Sequence, residues 1–393
     1  LLVEEPLQEA YFTDLSIDSK GSRVAFLEQR YGCFPTGYCT NLWLYEVTSG
    51  RTDNPITGED FTRDTFNGGD IARGLAGIEY PTFSYSIPIR MISALTVSPD
   101  GSRLAAGTSG GSISLWDADS GEALDDVSYQ QLPVFQIQFT PDGNRLFAAS
   151  FDGSLIAVNT VSGELEYRSY ETPERFQSMA LAPSGQWLVM GGGQELRLLS
   201  VRGDAIKLAL YRRFDDGPIR ALAFSPDSSL LAVGTGDGTV WLLSVPEGEV
   251  LLRLVGHSGR VLQLAFSPQG DLLASAAEDR VLNVWQLNSQ PAGEYHPGLL
   301  LSAVYPEWVG DMAFSPDGST LASLAFNRKV YFLRLDDLTP GAAQRVIASG
   351  VLAHLSFSPD SQQLYLTSDR NVFRIDARLD EGLFRPVDDY EAP

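Results

Sequence analysis

Few residues of this chain have the types and spacing for chemistry. Its only two cysteines, Cys33 and Cys39, lie six positions apart in Tyr31-Gly32-Cys33-Phe34-Pro35-Thr36-Gly37-Tyr38-Cys39, where Pro and Gly favour a chain reversal. That spacing predicts a disulfide, and with it export to an oxidising compartment. The alternatives are free thiols or half of a metal site, but no further cysteine and no nearby histidine would complete tetrahedral ligation. Gly107-Thr108-Ser109-Gly110-Gly111 matches the G-x-S-x-G of nucleophile elbows, which require a strand-to-helix turn and a positioned His. Gly191-Gly192-Gly193 could cradle phosphate only if a Lys and a helix followed, and neither does. Asp215-Asp216, Asp336-Asp337 and Asp388-Asp389 lack the alternating spacing of a calcium loop and read as solvated surface. The three histidines, His257, His296 and His354, are far apart in sequence and give transition-metal catalysis little support. No catalytic residue, cofactor or metal is expected.

The elements that hold these residues repeat. Ser98-Pro99-Asp100-Gly101 returns as Thr140-Pro141-Asp142-Gly143, Ala182-Pro183-Ser184-Gly185, Ser225-Pro226-Asp227-Ser228, Ser267-Pro268-Gln269-Gly270, Ser315-Pro316-Asp317-Gly318 and Ser358-Pro359-Asp360-Ser361. Proline presets the first turn residue, while Asp and Gly supply local hydrogen bonding and a permissive backbone. Apolar runs flank each turn, such as Leu222-Ala223-Phe224 and Leu230-Leu231-Ala232-Val233, and a second marker recurs at Gly50, Gly121, Gly163, Gly203, Gly248, Gly341 and Gly382. A forty-odd-residue period of strands and turns predicts an all-β chain forming a closed β-propeller. Leu15 to Ala25 aligns without gaps to Leu95 to Ala105 although the proline is lost, so the repeat begins early. The reading is a single domain over residues 1–393 with eight four-stranded blades. The first covers about 11–90 with insertions at 31–40 and 51–88, and the others cover about 91–393. Leu383-Phe384-Arg385-Pro386-Val387 is expected to complete the last blade, with residues 2–8 as the alternative closure.

Residues 91–393 resemble the WD-repeat propeller family. The sixth unit carries the motif most fully, with Gly256-His257 before its first strand, Ser275 in the second, Asp279 in the hairpin and Trp285 in the third. The resemblance implies that Trp285, Ser275, His257 and Asp279 form a buried hydrogen-bond chain that stiffens the blade, so His257 is read as structural and not as a catalyst or metal ligand. Other units keep fragments, among them Asp152, Asp237 and Trp116-Asp117. The first unit, with Asn41-Leu42-Trp43-Leu44-Tyr45-Glu46-Val47, looks more like the propellers of the periplasmic Tol system.

Composition narrows the partners. A formal charge of −22 argues against nucleic acid, whose phosphates require a basic face. No apolar run approaches the roughly 18 residues that a membrane span requires. The chain has three lysines, Lys20, Lys207 and Lys329, and begins at Leu1, which suggests a removed leader or a longer product.

What distinguishes the units is insertion. Relative to the second unit, the first has nine more residues in its second hairpin and 29 more between Gly50 and Pro99. These insertions carry Phe34, Tyr38, Phe61, Phe66 and Tyr85, which are either interface anchors or a cover for the first blade. A smaller insertion contains Tyr295-His296-Pro297 and Tyr305-Pro306-Glu307-Trp308. The resulting expectation is an exported, extracellular or periplasmic scaffold that binds a protein bearing a basic patch. A funnel enzyme or small-ligand binder, or the sensor propeller of a larger cytoplasmic signalling protein with free thiols, are the alternatives.

Overall fold

The computed structural model describes residues 10–20, 23–31, 38–46, 92–108, 111–118, 123–128, 133–150, 153–169, 176–203, 205–289, 295–327, 329–336, 344–346, 352–368 and 372–377. These form eight antiparallel sheets, each a run of sequence neighbours with no crossover. Their first strands are Ala10–Ile17, Ile92–Val97, Val134–Phe139, Ser178–Leu181, Ile219–Phe224, Val261–Phe266, Val309–Phe314 and Leu352–Phe357. Each packs beside the first strand of the next sheet, and Ala10–Ile17 lies beside both Ile92–Val97 and Leu352–Phe357. Sheets two to seven have four strands; the first and eighth have three among the described residues. Residues 2–8, 47–91 and 383–387, where the missing outer strands were expected, lie outside the described set.

The core lies between sheets. Second and third strands are covered on both faces, which is why they read as continuous apolar runs instead of alternating ones. Ala105, Ile113 and Leu115 of the second sheet share one cluster with Ile137, Leu146 and Ile156 of the third. Leu242 of the fifth shares another with Leu264, Leu273 and Trp285 of the sixth. The sheets approach closely enough to exclude side chains at one register. A Cβ on Gly107, Gly191 or Gly234 would lie 2.5, 2.6 and 2.6 Å from Val134, Ile219 and Val261 of the following sheet.

The proline turns are closed by their own side chains. The Ser98 hydroxyl donates to Asp100 Oδ1 at 2.6 Å and accepts from Arg103 N–H at 2.9 Å, while Ser102 N–H donates to the same carboxylate at 3.0 Å. Thr140/Asp142, Ser225/Asp227, Ser315/Asp317 and Ser358/Asp360 repeat the serine or threonine donation at 2.5–2.6 Å. Gln269 stands in the Asp position of the sixth turn, and there Asp271 accepts the Ser267 hydroxyl at 2.8 Å. Two turns place a serine, Ser228 (φ 62) or Ser361 (φ 61), in the left-handed conformation that glycine adopts in the others. Both hydroxyls are used: Ser184 N–H donates to Ser228 at 3.0 Å and Asp317 N–H to Ser361 at 2.9 Å, tying one sheet's turn to the next. Glycine's ease in this conformation has been exchanged for a contact between sheets.

These turns set the acid response. Donation from Ser98, with Ser102 N–H and the Ser102 hydroxyl, outweighs burial and holds Asp100 down to about 2. Donation from Thr140 likewise lowers Asp142. For Asp227 and Asp317, and for Asp237 in the hairpin between Leu230–Thr235 and Thr239–Ser244, burial pushes the carboxyl up, but the hydroxyl and amide donors overcome it and leave the group lowered. A carboxyl lowered in the folded state stabilises above its unfolded value of about 3.9 and loses that contribution as pH falls towards the folded value. The thermal midpoint should therefore drop steeply between about pH 4 and pH 2, and Asp100→Asn should make that drop shallower. A midpoint flat across this window would contradict the assignment.

Candidate interaction face

In the sixth sheet the side chains of one motif meet from two strands, the connection before the first strand and the hairpin between the second and third. Trp285 Nε1–H donates to Ser275 Oγ at 2.9 Å, Ser275 Oγ lies 2.8 Å from His257 Nε2, and His257 Nδ1 lies 3.2 Å from Asp279 Oδ2. Asp279 also accepts from Ser258 N–H at 2.8 Å and Val281 N–H at 3.0 Å. Burial lowers the His257 pKa below its ordinary value, although Asp279 pulls the other way. The neutral ring serves Asp279 and Ser275 if Nδ1 carries the proton towards Asp279 and Nε2 accepts from the serine, with Asn283 Nδ2 at 3.3 Å from the same nitrogen. These are the contacts of a Ser-His-Asp triad. They cannot serve as one here. Ser275 is 0% exposed and its oxygen is held by the tryptophan, so no substrate carbonyl can reach it.

The seventh sheet solves the same problem differently. Tyr305 stands four residues before its first strand, as His257 does in the sixth, and its hydroxyl lies 2.8 Å from Ser323, the counterpart of Ser275. Tyr305 meets Tyr331 edge to face at 4.7 Å, and Asn327, at the position of Asp279, donates to the Tyr331 hydroxyl at 2.7 Å. Burial pushes the Tyr305 phenol up to about 12, so it stays neutral. In sequence this appears as a lost motif. In space, one buried polar chain has replaced another.

Polar residues along the first strands are occupied with neighbouring backbone. The edge of a first strand exposes amides, and in the second, fourth and eighth sheets side chains of the preceding sheet cover some of them. Met179 and Leu181 N–H donate to Gln136 and Gln138 at 3.0 Å. Val97 N–H donates to Ser16 at 3.0 Å, Leu355 N–H to Asp311 at 2.9 Å, and Gln263 Nε2–H to the Gly310 carbonyl at 3.0 Å. His354 lies 3.6 Å from Asp311, and Arg220 donates to Gln177. Polar groups on the first strands thus clamp adjacent sheets together.

Turn-to-turn hydrogen bonds, such as Ser19 N–H to the Pro99 carbonyl at 3.2 Å, gather the proline turns on one face. The hairpins between second and third strands, and the connections into each next first strand, therefore share the opposite face. An aromatic pair stands exposed there. Trp308 is 44% and Phe326 54% exposed, their rings meet edge to face at 6.3 Å, and Val304, four residues before Trp308 in the chain, is 80% exposed. Phe326 N–H donates to the Trp308 carbonyl at 2.9 Å, which fixes the hairpin against the connection. Trp308 lies in an insertion visible in the sequence. Phe326 occupies the hairpin position that Gly236 and Glu278 hold in the fifth and sixth sheets, and a large apolar residue in a turn was the signal available for it.

The described ends of the two strands that flank the first sheet's insertion, Tyr31 and Tyr38, belong to this same face. These strands, Arg23–Tyr31 and Tyr38–Glu46, have nine residues each where most others have six, so much of the nine-residue insertion lengthens strands. Tyr38 pairs with Tyr31 and Cys39 with Arg30 at the open end. Cys33, Phe34, Phe61, Phe66 and Tyr85 lie outside the described residues, as do Ser109, Gly110 and Asp152. Gly191 and Gly192 end a strand and Gly193 (φ 51) opens a hairpin, with no helix after them. Asp216 is ion-paired with Arg253 at 3.4 Å and Asp336 with Arg334 at 2.6 Å. The described residues contain no group of three potential metal ligands and no helix long and apolar enough to cross a membrane.

Residues 87–117, 128–156 and 248–286 match the family model for the WD domain, G-beta repeat, and 195–266 match that of the anaphase-promoting complex subunit 4 WD40 domain. The chain is 30% identical over 198 residues to periodic tryptophan protein 2 of Arabidopsis thaliana, covering 49% of this chain and 22% of that protein. It is 30% identical over 122 residues to human serine-threonine kinase receptor-associated protein, covering 31% and 34%. Thus it spans about a fifth to a third of the curated relatives it matches. The Cps50 (Swd1) β-propeller domain of Myceliophteria thermophila superposes with a TM-score of 0.58 at 14% identity, covering 72% of this chain and 94% of that one. The family models begin at residue 87, so the Tol-like character of the first unit has no support from them.

Proposed function

We propose that this chain, which belongs to the WD40-repeat family, is a non-catalytic scaffold that binds a protein through its hairpin face. The observation that carries this reading is the exposed Trp308–Phe326 pair on a rigid framework, since paired aromatics in contact with water are favoured interface anchors. Eight sheets closing into one ring would supply the framework. The contact of Ala10–Ile17 with both the second and the eighth sheet supports closure. The first unit's insertions extend the face, with Phe34, Tyr38, Phe61, Phe66 and Tyr85 as further anchors, and the charge of −22 favours a partner with a basic patch.

Replacing residues 32–38 with a short Gly-Ser linker, and separately trimming 58–80, should leave the protein folded and weaken partner binding at least tenfold, about 1.4 kcal/mol. Two folded variants with wild-type affinity would reduce the insertions to a cover for the first sheet.

The reading extends to location. Cys33 and Cys39 are bonded in an oxidising compartment outside the bacterial cytoplasm, a placement that rests on their spacing in one loop. Two alkylated thiols in unreduced protein, measured by intact mass, would reject both the bond and the export.

A further inference from the structure

We propose that the outer edge of the fourth sheet, strand Ala205–Arg213, receives an acidic extended peptide as an added strand. Ala205–Arg213 is the outermost strand of its sheet and runs nine residues, whereas the outer strands of the third and fifth sheets, Leu165–Arg168 and Val250–Val255, run four and six. The fifth sheet meets this strand at Gly248, whose carbonyl accepts from the Arg212 side chain at 2.7 Å, a contact made by a side chain on the strand's face and not along its backbone edge. Leu208 is 56% and Tyr211 48% exposed, apolar surface of the kind an added strand would cover.

The backbone is set to accept a partner. Phe214 N–H donates to the Gln194 carbonyl at 2.8 Å, and the ladder pairs Arg213 with Glu195 and Tyr211 with Arg197. Inward hydrogen bonding alternates in an antiparallel pair, so Arg213 and Tyr211, one and three residues before Phe214, turn their N–H and C=O outward. An irregularity at Leu208 to Leu210 interrupts the register. Two residues with outward amides lie on its far side.

Charge selects the occupant. Within residues 195–213 stand Arg197, Arg202, Lys207, Arg212 and Arg213 against Glu195 and Asp204, in a chain with 28 basic and 50 acidic residues. Glu195 is committed to Arg197 at 3.2 Å and to the Tyr211 hydroxyl at 2.7 Å. Arg213 donates to the neutral Gln194 amide, Arg202 lies over the Trp187 ring, and Lys207 has no carboxylate partner among the described residues. A second copy placed edge to edge would bring like charges together. An extended segment with alternating carboxylates meets opposite charges while its backbone completes the ladder, the combination that gives strand addition both affinity and selectivity.

The test uses three labelled ten-residue peptides with the full chain in fluorescence polarisation: alternating Glu/Val, alternating Lys/Val, and Glu/Val N-methylated at every second amide. The Glu/Val peptide should bind at least tenfold more tightly than either control, and Lys207→Glu with Arg213→Glu should reverse the Glu/Lys preference. The Trp308→Ala, Phe326→Ala variant should bind it unchanged, which separates this edge from the hairpin face. No Glu/Val binding, equal binding of the N-methylated peptide, or an unchanged preference in the charge-reversed variant would each overturn the proposal.

Discussion

Trp285→Ala should lower folding stability by about 4 kcal/mol, within the range for removing a large buried aromatic. The indole is 5% exposed and belongs to the cluster joining the fifth and sixth sheets. Its ring edge lies against Gly256, where a Cβ would come within 2.8 Å of Cη2, so the backbone cannot collapse far into the cavity without losing the approach to His257. Truncation also removes the donor to Ser275 at 2.9 Å and leaves a buried oxygen short of one partner. Trp285→Phe separates the two contributions. It keeps most of the volume and loses the N–H, and should cost about 1–2 kcal/mol. Denaturant unfolding followed by fluorescence and by circular dichroism will show whether the loss is global or confined to the sixth sheet, because repeat folds can open locally. A loss below about 1 kcal/mol for Ala, or equal losses for Ala and Phe, would mean that the polar chain does not organise the sheet.

The second large effect concerns binding. Trp308→Ala should weaken partner binding by at least about 2 kcal/mol, roughly thirtyfold, if the tryptophan anchors the interface. Phe326→Ala should weaken it by a similar amount, and the double variant by less than the sum, because the two rings touch. Both side chains are half in water, so their loss should leave the denaturation midpoint nearly unchanged. That contrast distinguishes an anchor from a packing residue. Unchanged affinity in both single variants would move the interface elsewhere.

Much of this architecture was legible because the turn chemistry is local. Ser98, Pro99, Asp100 and Gly101 close their turn with atoms at most five residues apart, so the motif survives in sequence wherever the turn survives. The sixth sheet's polar chain was legible for the opposite reason: it keeps every residue of a motif whose spacing is rigid. Its counterpart in the seventh sheet was not, since Tyr305 stands where the motif has histidine and Asn327 where it has aspartate, and only register relates Tyr305 to Ser323. Contacts between sheets were equally hidden. The use of Gln136, Gln138 and Asp311 to cover amides of the following strand depends on which strands lie side by side, and a single sequence states that only indirectly. The roles of Ser228 and Ser361 were hidden too, because the loss of glycine looks like decay of the motif until the hydroxyl is seen accepting from the neighbouring turn.

The scaffold reading rests on the hairpin face being the contact surface. The most direct test is to recover a native partner, identify it by mass spectrometry, and measure its affinity for three forms: the wild type, the Trp308→Ala, Phe326→Ala double variant, and a variant of the opposite face carrying Ser162→Arg and Ser184→Arg. The account predicts at least a thirtyfold loss for the hairpin-face variant and less than a threefold change for the proline-turn variant, with both remaining folded. Loss confined to the proline-turn variant, or wild-type affinity in both, would contradict it.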